Sequence, residues 1–207
     1  MKLLPCAATA GLFASILLAP AQAASVARTY SYFSVGGSTL NELQDELAIH
    51  GPKLASTGSR HPGATEMEFT NRITYKEARG GCAVKSATVS VKAKIILPRW
   101  RKRGSAERDA RLVWDTLASD IKRHEESHVS IAKAHAREME QAVLALPRGA
   151  SCAAVGEKAK AAIARILAKH DAEQARFDKI EAINFSKRLE RLLRYRIQQI
   201  EAGRIPG

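Results

Sequence analysis

The stretch LASDIKRHEESHVSIAKAHAREM, residues 117–139, fixes the character of the C-terminal half of this chain. Leu117, Ile121, His124, His128, Ile131, His135 and Met139 follow one another at intervals of three or four, the period of a single helix face. The segment therefore reads as an amphipathic helix with His124 and His128 on its inward stripe. Working outward, the same periodicity runs from about Ala106 to Leu146 and resumes from about Ala154 to Ala202, broken by Pro147-Arg148-Gly149. A connection this short makes the two helices antiparallel neighbours.

Upstream, the period changes from 3.6 to two. Met67, Phe69, Ile73 and Tyr75 alternate with polar residues, and after Gly80-Gly81 so do Ala87, Val89, Val91, Ala93, Ile95 and Leu97, as far as Pro98. The pair reads as an antiparallel hairpin. Arg28 to Val35 reads as a further strand, and Gly36-Gly37 leads into a short helix announced by the capping box Thr39-Leu40-Asn41-Glu42 and ended at Gly51-Pro52. The expected fold is α+β: a small antiparallel sheet of about three strands packed on a long antiparallel helical hairpin. The basic run from Arg99 to Arg103 reads as a solvated loop.

Residues i and i+4 of a helix stand one turn apart on one face, so His124 and His128 can place two ring nitrogens about 2 Å from one zinc ion. Glu125, on the flank of the same turn, can reach a water on that metal and act as general base. Glu126 reads as a surface charge, and Ser127 has no evident role. A catalytic zinc needs a third protein ligand. His135 lies about 10 Å beyond His128 on an unbroken helix, and no glycine follows the motif to turn the chain back as a metzincin site requires. It reads as a core or supporting histidine.

The helical hairpin brings residues around Gln174 opposite His124 and His128. There His170 continues the stripe Ile163, Ile166, His170, Phe177, Ile180 and is the first choice for third ligand. Asp178 and Glu173 are alternatives, and Asp171 could orient a histidine.

The N-terminus has the order of a secretory signal: Lys2, an apolar run from Ala7 to Ala19, then Ala21-Gln22-Ala23 as a cleavage site. Residues 1–23 are expected to be removed, leaving residues 24–207 as one domain in the periplasm or outside the cell. Cys6 leaves with the signal. Cys82 and Cys152 then meet an oxidising compartment and are expected to pair.

The formal net charge of +12 favours acidic partners, with peripheral contact to anionic envelope surfaces as one form. Aromatic residues make up 5% of the chain, too few to form with the arginines the extended stacking surface that bases would need, so no nucleic-acid partner is expected.

With Gly81-Cys82-Ala83-Val84, Leu97-Pro98-Arg99-Trp100, Trp114, the motif from His124 to His128 and the later Cys152 in view, the chain resembles a family of secreted bacterial proteins predicted to be zinc-dependent proteases and catalogued as a domain of unknown function. The resemblance implies a zincin-like metallopeptidase domain acting on peptide or protein substrates. Many members of that family end in a glycine- and histidine-containing segment after a Tyr-Asp pair, whereas this chain has His170 to Phe177 and Asp178 there, so the third ligand does not carry over. The competing expectation is a non-enzymatic basic periplasmic binding or scaffold protein in which the histidines are structural.

Overall fold

The computed structural model describes residues 25–54 and 58–206. The expected signal segment, residues 1–23, lies outside them. Strand β1 (Ser25–Val35) leads into helix α1 (Leu40–His50), followed by β2 (Ala64–Ala78), β3 (Gly81–Trp100), α2 (Arg108–Leu144) and α3 (Cys152–Glu201). The fold is α+β, with a three-stranded sheet in the order β1-β3-β2 covered on one face by the helical hairpin.

Sequence signals account for most element ends. At α1, Thr39 Oγ1 accepts from the Glu42 amide at 3.3 Å, while Glu42 Oε2 accepts from the Ser38 amide at 2.6 Å, so the return bond of the capping box falls one residue early. Ser151 caps α3 by accepting from the Ala154 amide. In β3 the alternation expected from the sequence appears as burial: Val89, Val91, Ala93, Ile95 and Leu97 face the helices, while Lys92 and Lys94 lie in solvent beside Glu68 and Glu66.

The sheet is mixed rather than antiparallel throughout. Strands β2 and β3 pair antiparallel, but β1 pairs parallel with β3 along its whole length, Ser25 opposite Ser90 and Val35 opposite Trp100. Alternation within a strand sets which face is buried but not strand direction. Direction follows from the connection: β2 starts opposite Ile96, at the end of the sheet where β1 finishes but on the other edge of β3, and the hairpin returns β3 alongside β1.

Pro98 does not end β3, which continues to Trp100. Pairing with β2 stops at Ala64 opposite Ile96, so beyond it β3 has a neighbour on one side only and tolerates a residue without an N–H. Nor is the following basic run a fully solvated loop. Trp100 is buried against Trp114 and donates its indole N–H to the Gly37 carbonyl at 3.1 Å.

Ile121, Val129, Ala132, Ala136, Met139 and Val143 of α2 pack on β3, with Ala159, Ile163 and Ile166 of α3 closing the core. The stripe that meets the sheet passes through Glu125, with His124 and His128 on the adjoining sector toward α3. Because α2 is covered by both a sheet and a helix, its buried sector is wider than one stripe. Glu140, also buried, accepts from the Val89 amide at 2.7 Å; β1 begins opposite Ser90, and the carboxylate takes the place of a strand partner just beyond it.

Cys82 and Cys152 are joined, with sulfurs 2.02 Å apart and Cα atoms 5.0 Å apart. Cys82 and Gly149 also exchange two backbone hydrogen bonds of 2.9 Å. Gly81 precedes this contact with φ +128°, and a Cβ there would fall 2.2 Å from the Gly149 carbonyl oxygen, so only glycine fits. The bridge spans 70 residues, for which loop-closure entropy gives about 4 kcal/mol. Cys82→Ala/Cys152→Ala should therefore lower unfolding free energy by roughly 2–5 kcal/mol. Chemical denaturation checks this, and unchanged stability would mean that the backbone pairing alone secures the turn.

Candidate metal centre

His124 and His128 occupy successive turns of α2, and α3 supplies the residue facing them. His124 Nε2 and His128 Nε2 are 3.1 Å apart, and Asp178 Oδ1 lies 3.3 Å from the first and 3.0 Å from the second. Among the described residues, these three form the group of histidines and carboxylates close enough to share a cation. Ligands about 2 Å from a tetrahedral zinc stand roughly 3.3 Å from one another, so the triangle has the size of one face of a coordination tetrahedron. The donor set, two imidazole nitrogens and a carboxylate oxygen, also suits zinc.

His170, the first choice from sequence, is not part of this triangle. It is buried one turn short of Gln174, its ring edge-on to Phe69 with centroids 5.1 Å apart. His170, Gln174 and Asp178 share one face of α3 at i, i+4 and i+8; the stripe through His170 faces inward as far as Phe177 but Ile180 is exposed, and the two histidines stand level with Asp178, one turn beyond Gln174. Glu173 is also elsewhere, 2.9 Å from His135 Nε2, while Glu138 lies 3.1 Å from His135 Nδ1. Both nitrogens of that buried histidine thus face carboxylates, as befits a core histidine.

Glu125 is buried, and its Oε2 accepts a 2.7 Å hydrogen bond from Thr65 of β2. Burial pushes its carboxyl above the ordinary glutamate range, with the Thr65 hydrogen bond and the charges of His128 and His124 opposing. Gly63 brings backbone against the same side chain: a Cβ there would meet Glu125 Oε1 and Ile121 Cγ2 at 2.8 Å.

Asp178 is half-exposed. Partial burial acts against its ionisation, but hydrogen bonds from His124 and His128 and their charge prevail, holding it well below the usual carboxylate range. For His128, burial favours the neutral ring, yet Asp178 and Gln174 outweigh it and the pKa rises. Phe177 stacks on the His124 ring and meets the His128 ring edge to face, with centroids 5.0 and 5.1 Å away.

Behind His124 lies a compensated ion network. Glu181 Oε2 is 3.4 Å from His124 Nδ1 and is paired with Arg123 and Arg188. Asp120 accepts from Arg123 at 2.9 Å and from Arg188 through both oxygens at 3.1 Å. Burial opposes Glu181 ionisation, but the Arg123 hydrogen bond and the two guanidinium charges hold its pKa down. A carboxylate behind a ligating histidine is a recurrent means of orienting the ring. Glu126, by contrast, is tied to β1, accepting from the Tyr30 hydroxyl at 2.7 Å.

These groups open on a cleft of about 420 Å³ between the segment leading into β2 and the middle of α3, lined by Leu54, Pro62, Ile121, Ala182 and Phe185 beside the polar residues. Sequence reasoning did not find Thr65, Gly63, Gln174 or Glu181 as parts of the site. For the helix residues a signal existed: Gln174, Asp178, Glu181 and Arg188 recur at helical spacing on one face of the second long helix. Thr65 and Gly63 carry no such mark, since only the packing of β2 on α2 brings them to Glu125.

A family model described as "Bacterial protein of unknown function (DUF922)" matches residues 30–185, which contain every residue of the site named so far except Arg188. No curated protein and no solved structure matches the chain.

Proposed function

We propose that this chain, which belongs to the DUF922 family of bacterial proteins of unknown function, is a zinc-dependent peptidase. The observation that carries the reading is the convergence of His124 Nε2, His128 Nε2 and Asp178 Oδ1 within 3.0–3.3 Å of one another, with the buried Glu125 on the same helical turn. Zinc held by these three atoms would supply Lewis acidity, making water a nucleophile near neutral pH and polarising a carbonyl.

The remaining work falls to side chains. Glu125, whose raised pKa brings it closer to the working range of a general base, takes the proton of the attacking water and returns it to the leaving amine. Thr65 and the close approach of Gly63 restrict the Glu125 side chain. Thr65 and Met67 of the edge strand β2 border the cleft, giving an extended peptide a strand to lie against.

Export belongs to the same proposal. The Cys82–Cys152 pair suits an oxidising compartment, and no described helix is long and apolar enough to cross a membrane. The test is direct. Purified oxidised protein equilibrated with zinc and freed of excess metal should retain one ion per chain and hydrolyse an unstructured polypeptide, losing activity to a chelator and regaining it with zinc. Protein that takes up no zinc would leave the basic binding or scaffold role as the better account.

A further inference from the structure

Gln174 is held at three points, and together they leave one arrangement of hydrogens. Its Nε2 lies 3.1 Å from the His128 carbonyl oxygen and 2.8 Å from His170 Nε2, and its Oε1 lies 2.6 Å from His128 Nδ1. A carbonyl oxygen only accepts, so the amide end facing it must be the NH2 group. The other end, an oxygen, must then accept from His128, which places a hydrogen on Nδ1. When His128 gives up the Nε2 proton that it donates to Asp178, Nδ1 keeps its hydrogen and the Nε2 lone pair is directed toward His124 Nε2 and Asp178 Oδ1.

The second amide hydrogen of Gln174 goes to His170 Nε2. His170 therefore carries its own hydrogen on Nδ1, which donates to Asp171 Oδ1 at 2.9 Å. His170 is buried against Phe69 and His135 and cannot turn away without leaving that cavity.

We propose that Gln174 is a positioning residue for the metal centre: clamped by the His128 carbonyl and by His170, its amide holds His128 in the tautomer whose Nε2 is free to bind a divalent cation. The proposal rests on the metal-binding reading of the site, and it gives His170 the task of holding Gln174. A carboxylate at this position would accept from Nδ1 equally well but would set like acceptors against the His128 carbonyl and His170 Nε2. The amide meets all three demands with one group.

The experiment is zinc affinity of the full oxidised protein, measured by competition with a chromophoric chelator. Gln174→Met keeps the length of the side chain but loses both its oxygen acceptor and its donors. Its affinity should fall roughly 10–100-fold, as for other partners that orient a ligating histidine, while Gln174→Glu, which keeps the acceptor for His128 Nδ1 but loses the donors of the clamp, should recover only part of the loss. Wild-type affinity in a folded Gln174→Met protein would overturn the proposal. The ring nitrogens of His128 in zinc-loaded wild-type protein give a reading independent of any variant: nitrogen NMR should find the proton on Nδ1, and a proton on Nε2 overturns the proposal. Failure of the wild-type protein to bind zinc overturns this inference and the metal reading together, whereas the preceding results remove this inference alone.

Discussion

Glu125→Gln is expected to lower peptide hydrolysis by roughly 10²–10⁴-fold, the range of a lost general base, while zinc uptake stays unchanged. The amide keeps the shape of the side chain and can still accept from Thr65 Oγ1, but it cannot take up a proton. A stability readout separates this from general damage. Burial raises the folded-state pKa of Glu125 above its unfolded value, so its favourable contribution is fully present below the unfolded pKa and is lost as pH rises through the folded one. Near neutral pH the buried carboxylate is thus a cost that glutamine removes. Metal-free Glu125→Gln should melt no lower than wild type at neutral pH, with any advantage shrinking in acid. Undiminished hydrolysis in the variant would take Glu125 out of the mechanism.

Asp178→Ala should weaken zinc binding more than about 100-fold, exceeding the loss expected from a supporting partner, and should abolish hydrolysis. The side chain is half-exposed, so its removal creates no core cavity; it does remove the pairing with His124 and His128 that holds its pKa down, so the metal-free variant should remain folded but melt somewhat lower at neutral pH, a difference that fades in acid. Loss of metal without loss of fold would identify a ligand. Should Asp178→Ala hold zinc as tightly as wild type, the triangle with His124 and His128 is not the coordination face, and Glu181, the other carboxylate beside His124, becomes the residue to replace.

How much of this was legible in the sequence depends on which interactions decide each feature. The helical hairpin and the buried face of β3 follow from periodicity, because a two- or 3.6-residue repeat of apolar side chains leaves few ways to bury them. The direction of β1 does not, since parallel and antiparallel neighbours can bury the same alternating face. The site shows the same division. The phase of α3 was readable, and with it the inward face shared by His170, Gln174 and Asp178. Their level against α2 depends on how the connection after Leu144 is spent and how the helices wind about each other, and neither leaves a mark on individual residues. Glu125 was chosen for its place in the motif; that it is more deeply buried than either histidine follows from the sheet lying over that sector of α2.

The two reversals of the chain, Gly80-Gly81 between strands and residues 145–151 between helices, lie together at one pole, riveted there by the Cys82–Cys152 bond and the Cys82–Gly149 pairing. Asp178 lies 26 residues along α3 from Cys152, about 39 Å of helix. With the far pole locked, α3 cannot glide lengthwise past α2 to slip its side chains by a turn. Past Asp178 the pairs of Arg123 with Glu181 and of Arg188 with Asp120 fasten α3 to α2 again, so the axial match of Asp178 to the two imidazoles is secured from both sides.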